Sequence, residues 1–184
     1  MNQMIELLAN TDIGILLYIQ EHIRTPWLTP VVIFITSLGN AGIFWILLSA
    51  LLLVSKKTRK AGFISFLALF ASLLINNLLL KNLVARMRPF DAYQALLPLV
   101  ARPADFSFPS GHTGSSFASA YVLYKRLPKK AGLAALVLAV LIGLSRLYVG
   151  VHYPSDVLAG VFTGIASGCL AQWAYQKYFT KMER

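Results

Sequence analysis

Two of the three histidines in this 184-residue chain stand beside residues that could make them react. His152 precedes Asp156 by four positions with Pro154 between them, so a turn opening a helix can bring the carboxylate to the imidazole. A carboxylate on one ring nitrogen fixes the tautomer, leaves the lone pair of the other nitrogen outward, and stabilises the imidazolium formed on attack. Arg146, six residues earlier, adds a planar set of donors suited to phosphate oxygens. His112 closes the run Pro109-Ser110-Gly111-His112 at the head of an apolar stretch. A helix opening there turns unpaired backbone N–H groups and its positive end toward an anion. Gly111 permits close approach, the Ser110 hydroxyl can donate to an oxygen, and His112 supplies a proton near neutrality. Lys81 and Arg88, seven residues apart, are expected about two turns apart on one helix face, two cations toward one site. A nucleophile, a proton donor and a cluster of cations together point to phosphate chemistry.

Each segment alone also fits a plainer reading. Lys81 could snorkel to headgroups while Arg88 meets lipid phosphate, the proline-serine-glycine run could be an ordinary helix start, and the His152–Asp156 pair could merely cap a helix. His22, the third histidine, is read as interfacial and solvated. Arg86, Asp91, Arg102 and Asp105 share the 85–109 loop; headgroup recognition is open to them, but solvated surface charge is the expectation. Asn76 and Asn77 are read as interhelical hydrogen-bonding residues rather than lipid ligands.

The elements that must position these groups are helices in a bilayer. The chain is 57% hydrophobic and 13% charged, more apolar surface than a soluble domain of this length can bury. Apolar segments run over residues 28–54, 61–84, 111–124, 131–148 and 157–175, giving an all-α bundle of about five transmembrane helices over 28–177 within a single domain of residues 1–184. The third is the shortest and spans only if it runs from Pro109 to Leu127. In residues 1–27, Glu6, Asp12, Glu21 and Arg24 interrupt the apolar run, and Asn10-Thr11-Asp12 offers a helix N-cap, so an amphipathic interfacial segment is expected. This stretch is acidic and has no basic leader region, which argues against a cleaved signal. Cys169 sits in the last apolar segment and is read as a small packing residue.

The net charge of +10 lies in loops: Lys56, Lys57, Arg59 and Lys60 after the first span, Lys125, Arg126, Lys129 and Lys130 after the third, Lys177, Lys181 and Arg184 after the fifth. Five alternating spans put all three clusters on one face, the cytoplasmic one by the positive-inside rule, so the charge does not point to nucleic acid. The three reactive segments then collect at the opposite, extracytoplasmic face of a multi-pass cell-membrane protein. Asp91, Asp105 and Asp156 are the only acids in the outer loops after residue 27, too few for a carboxylate-held metal, so a reaction without metal or cofactor is expected.

In order, Lys81 with six residues before Arg88-Pro89, then Pro109-Ser110-Gly111-His112, then Ser145-Arg146 with five residues before His152 and three before Asp156, resemble the signature of the type 2 phosphatidic acid phosphatase (PAP2) superfamily. All eleven signature identities are present. The resemblance implies a phosphate pocket held by Lys81, Arg88, Ser110, Gly111 and Arg146. It makes His152 the nucleophile, Asp156 its orienting partner and His112 the general acid, the cations around His112 favouring its neutral form until phosphate binds. The implied partners are membrane lipids and a lipid phosphate arriving from the outer leaflet. The expected substrate is undecaprenyl pyrophosphate, with phosphatidylglycerol phosphate and phosphatidic acid as alternatives. A lipid-phosphate transporter or flippase without hydrolysis is the rival class; a vanadium haloperoxidase fits five spans poorly.

Overall fold

Proline, glycine and charge punctuate an otherwise apolar chain, and the helices form between those marks. The computed structural model describes the backbone of residues 3–179 and the side chains from Leu7 onward. Lys181 and Arg184, the end of the third basic cluster, and the side chain of Glu6 lie outside the described residues. All described elements are helical: α1 Gln3–Tyr18, α2 Leu28–Ser37, α3 Ile43–Val54, α4 Arg59–Ser72, α5 Lys81–Val84, α6 Pro89–Ala92, α7 Gly111–Arg126, α8 Lys129–Tyr148 and α9 Pro154–Ala174. A wider, π-type stretch at Leu73–Leu80 joins α4 to α5.

Arg59–Ala92, Lys129–Tyr148 and Pro154–Phe179 are long and apolar enough to cross a membrane, and Leu28–Ser37 with Asn40–Val54 is so when taken together, as a pair bent by 46°. The apolar run 28–54 is therefore bent rather than straight. Its elbow is Gly39-Asn40-Ala41-Gly42, where Ala41 and Gly42 take positive φ of 49° and 67° and so end one helix and start the next. The expected third span, α7, has only 16 residues and does not reach the apolarity of the others. It needs none, because α4, α8 and α9 enclose it and Thr113, Gly114, Ser116, Ala118, Ser119 and Val122 are buried along it. Apolar side chains face outward instead, among them Leu47 and Leu51 on α3, Leu141 and Leu144 on α8, and Leu158 and Phe162 on α9. Cys169 also lies on this outer surface rather than in the packed interior.

Small residues let the central helices touch. A Cβ on Gly164 of α9 would lie 2.5 Å from the Gly114 carbonyl oxygen, and one on Gly160 would lie 2.8 Å from that of Ser110. The Gly160, Gly164, Gly168 ladder at i, i+4 spacing is what permits this approach of α9 to α7. Buried hydroxyls tie the rest: Trp45 Nε1 donates to Ser116 Oγ at 2.9 Å, and Ser65 Oγ lies 2.7 Å from both Ser49 and Ser119. These bonds satisfy polar groups where water is absent and link α3, α4 and α7.

The N-terminal segment departs from expectation in one respect. Asn10-Thr11-Asp12 does not cap a helix; α1 runs straight through it, and Thr11 returns its hydroxyl to the Leu7 carbonyl. Asp12, Ile13 and Leu16 are buried while Leu7, Leu8, Ile15 and Tyr18 face outward. The inward face thus carries the acid, which has a partner described below. His22 is exposed and stacks on Tyr18, with ring centroids 4.6 Å apart.

Candidate active site

Lys81, Arg88, Gly111, His112, Arg146 and His152 come together around one cavity of about 540 Å³. Lys81 reaches it from α5. Arg88 does not share a helix face with Lys81: the helix ends at Ala85 in a left-handed conformation (φ 48°), and Arg88 stands in extended backbone just before α6. The end of the helix at Ala85, not helical periodicity, brings the two cations together. Arg88 is 4% exposed; its Nη1 donates to the Val151 carbonyl at 2.8 Å and lies 3.4 Å from His152 Nε2. Arg146, buried at the end of α8, donates from Nη1 to Thr36 Oγ1 at 2.6 Å, while its Nε has no hydrogen-bond partner among the described residues.

His152 lies in the short turn between α8 and α9, 1% exposed. Its Nδ1 is 3.5 Å from Asp156 Oδ2, at the outer edge of hydrogen-bond range, a spacing catalytic pairs often show before substrate tightens them. Burial lowers the imidazole to about 4 against the upward pull of Asp156, and Arg88 and Arg146 push the same way as burial. Neutral His152 with Nε2 toward the cavity cations can attack an electrophilic phosphorus. His112, on the first turn of α7, places Nε2 3.0 Å from Asn40 Oδ1. Gly39 is needed here, because a Cβ would run into the His112 ring.

Ser110 behaves differently from the other predicted contacts. It is fully buried and caps α7, its Oγ accepting from Thr113 Oγ1 at 2.9 Å and from Thr113 N at 3.4 Å, and it does not line the cavity. Gly111 does, and a Cβ there would meet Asn77 Oδ1 at 3.1 Å. Asn77 accordingly faces the cavity, while Asn76 is buried and donates to Ser72 within its own helical stretch rather than across helices.

Two loop charges expected to be solvated are structural parts of the site. Arg86 donates from Nη1 to Asp156 Oδ1 and to Ser155 Oγ, both at 2.7 Å, and from Nη2 to Asp12 Oδ2 at 2.8 Å. Its guanidinium lies 3.8 Å over the Tyr153 ring. Asp156, wholly buried, also accepts from Ser107 Oγ at 2.5 Å and from the Tyr153 N–H at 2.9 Å. Asp105 reaches into the cavity, pairs with Lys81, and accepts from Arg88 Nη2 at 2.6 Å. Burial alone would raise its carboxyl, but hydrogen bonds and charge from Lys81 and Arg88 outweigh that and hold it at about 2. Arg102 stacks 5.4 Å from the Phe90 ring centre, and Asp91 is exposed as expected. Asn40 and Thr36 carried one sequence signal, polar residues breaking an apolar run; for Arg86 and Asp12, 74 positions apart, no local pattern existed.

The cavity lining is of two kinds. Cations and histidines make up one; Ile46, Phe66, Leu69, Phe70 and Leu73 from α3, α4 and the stretch after α4 make up the other. A small charged group and a long apolar one can be held together in such a space. Among the described residues no group of three or more His, Cys, Asp or Glu side chains gathers in metal-binding fashion.

A family model described as the PAP2 superfamily matches residues 61–180. The chain is 36% identical over 137 residues to an undecaprenyl-diphosphatase of Sulfolobus acidocaldarius, covering 74% of this chain and 66% of that protein, just under two thirds of its length. It is also 36% identical over 156 residues to phosphatidylglycerophosphatase B of Bacillus subtilis, covering 78% and 73%. A solved transmembrane PAP2 type phosphatidylglycerolphosphate phosphatase from Bacillus subtilis superposes with a TM-score of 0.76 at 32% identity, over 94% of this chain and 88% of that one. LpxE of Aquifex aeolicus gives 0.78 at 26% identity, over 89% and 95%. With the membrane-length helices, these matches establish that the chain is a membrane protein belonging to the PAP2 superfamily.

Proposed function

We propose that this PAP2-superfamily phosphatase hydrolyses the terminal phosphate of a membrane lipid through a phosphohistidine on His152, with undecaprenyl pyrophosphate as the preferred substrate. The observation that carries this is a single cavity lined by cations and histidines together with apolar side chains. The phosphate enters among Lys81, Arg88 and Arg146, whose charge offsets that building on its oxygens. His152 Nε2 attacks phosphorus, the lipid-side oxygen departs, and His112 gives that oxygen a proton. His112, now neutral, takes a proton from water as the water attacks phosphorus; the P–N bond breaks and inorganic phosphate leaves. Asp156 stabilises the imidazolium during attack and holds the ring in register. No metal takes part in this scheme.

The apolar lining suits entry of the lipid from the side, from the outer leaflet, with the site extracytoplasmic and the basic loops cytoplasmic. Lys56, Arg59 and Lys60 line a second cavity together with Tyr175 and Phe179, which supports a common end for the first and third basic clusters. The undecaprenyl-diphosphatase relative favours a polyprenyl pyrophosphate; the phosphatidylglycerophosphatase relative keeps phosphatidylglycerol phosphate as the alternative. The deciding experiment is phosphate release by purified protein in detergent with EDTA, offering undecaprenyl pyrophosphate, phosphatidylglycerol phosphate and phosphatidic acid in parallel, beside His152→Ala. Metal-free release, fastest on the pyrophosphate and lost in the variant, is expected. Release that survives in His152→Ala overturns the nucleophile assignment, and a faster phosphatidylglycerol phosphate reaction moves the substrate assignment there.

A further inference from the structure

Asp105 holds the very cations a substrate phosphate would need. One carboxylate oxygen pairs with Lys81 Nζ and the other accepts from Arg88 Nη2 at 2.6 Å. Its side chain is 51% exposed, whereas Lys81 and Arg88 are 7% and 4% exposed, so the carboxylate covers buried charges from the solvent side. The backbone around it is fastened independently. Arg88 Nε donates to the Asp105 carbonyl at 2.7 Å, and the Ser107 N–H donates to the Arg86 carbonyl at 2.9 Å. Rotation of one side chain therefore releases Lys81 Nζ and Arg88 Nη2 from the carboxylate without moving the loop, while Arg88 stays anchored to the Val151 and Asp105 carbonyls.

We propose that Asp105 is a specificity-determining residue, a tethered anion that keeps singly charged phosphodiester headgroups off the cation cluster and yields to doubly charged terminal phosphates. The proposal rests on the phosphate-site reading above. Lys81, Arg88 and Arg146 bring three positive charges to the cavity, and Asp105 reduces them to a net two, the charge a terminal phosphate dianion neutralises. Exchanging the carboxylate for a phosphodiester trades one negative charge for another and gains nothing in Coulomb energy. The tether gives the carboxylate an effective concentration on the order of millimolar or above, so a diester competes poorly. A dianion brings a second charge into a largely buried site, where that charge is worth far more than in water. Such discrimination has a use in a bilayer, whose bulk phospholipids are phosphodiesters pressing on the same entrance.

The test is calorimetric titration of the full chain in detergent with sulfate, a tetrahedral dianion, and dimethyl phosphate, a tetrahedral monoanion. Wild type, Asp105→Asn, Asp105→Ser and the charge-conserving Asp105→Glu are compared, each checked by thermal melting. Wild type and Asp105→Glu are expected to prefer sulfate by about tenfold or more, and the neutral variants to bind dimethyl phosphate about tenfold tighter than wild type does. Phosphate release by Asp105→Asn should also become sensitive to added phosphatidylglycerol in mixed micelles, while wild type stays insensitive. An unchanged sulfate-to-dimethyl-phosphate ratio in folded neutral variants refutes the role of Asp105 and leaves the phosphate site standing. Absence of binding of either anion to any variant removes the phosphate site itself, and the role of Asp105 with it.

Discussion

Replacing Arg86 separates a positioning role from substrate recognition. In the folded chain its guanidinium joins Asp156 on α9 to Asp12 on α1, both carboxylates nearly or fully buried. Truncation of one partner of a fully buried ion pair costs about 3–5 kcal/mol, because the remaining charge stays unpaired. Arg86 is 26% exposed, and Asp156 keeps Ser107 Oγ and the Tyr153 N–H, so solvent screening and these two donors reduce the expected loss for Arg86→Ala to about 2 kcal/mol. The functional effect follows from Asp156, which loses one of its three side-chain or backbone restraints and no longer holds the His152 ring in a single orientation. Misplacement of a reacting group by about 1 Å costs on the order of 100-fold, so kcat should fall by about 10- to 100-fold with KM little changed. The assay is steady-state phosphate release in detergent, with Arg86→Ala, Arg86→Lys and Asp12→Asn compared, and a double-mutant cycle between Arg86→Ala and Ser107→Ala. Lysine can replace one arm of the fork but not both, so Arg86→Lys should fall between wild type and Arg86→Ala. The cycle should be strongly non-additive, since both side chains restrain the same carboxylate. A rise in KM with kcat intact would refute the reasoning and make Arg86 a headgroup contact instead.

Other expectations follow from the same geometry. His152 is held neutral, its folded value of about 4 lying below the ordinary 6.5. Above 6.5 its contribution to stability is fully present; as pH falls from 6.5 through 4 the unfolded chain takes up the proton first and about 3 kcal/mol is lost, read as a falling melting temperature that His152→Gln should flatten. Gly164→Leu puts a side chain against the Gly114 carbonyl and should separate α9 from α7, abolishing activity with a large drop in detergent melting temperature, whereas Leu158→Ala on the outer surface should leave both near wild type. Fusion of a fluorescent protein after the C-terminus should fluoresce and an alkaline phosphatase fusion there should be inactive, as a cytoplasmic end requires; the reverse pattern inverts the proposed orientation.

The lone sequence was enough for the all-helical membrane class and for bringing Lys81, Arg88, Gly111, His112, Arg146 and His152 to one cavity, because both rest on local properties. Hydropathy over about 20 residues reports burial in lipid whatever the fold, and a four-residue His–Asp spacing before a helix is satisfied within one turn. Lys81 and Arg88 show the limit: their convergence was legible, but its cause was not helical phase. The helix end at Ala85, a non-glycine residue at positive φ, depends on what surrounds it. Hydropathy also gave no sign of the place of α7, since an apolar exterior is required only of helices that face lipid, and α7 packs among α4, α8 and α9. Only tertiary structure could decide the parts contributed across long separations. Asp12 meets Arg86, Thr36 meets Arg146, and Asp105 meets Lys81 through contacts that no periodicity encodes. A charged residue in a loop looks the same on paper whether it is solvated or buried against a distant partner; the energy that distinguishes the two belongs to the packed surroundings, not to the residue.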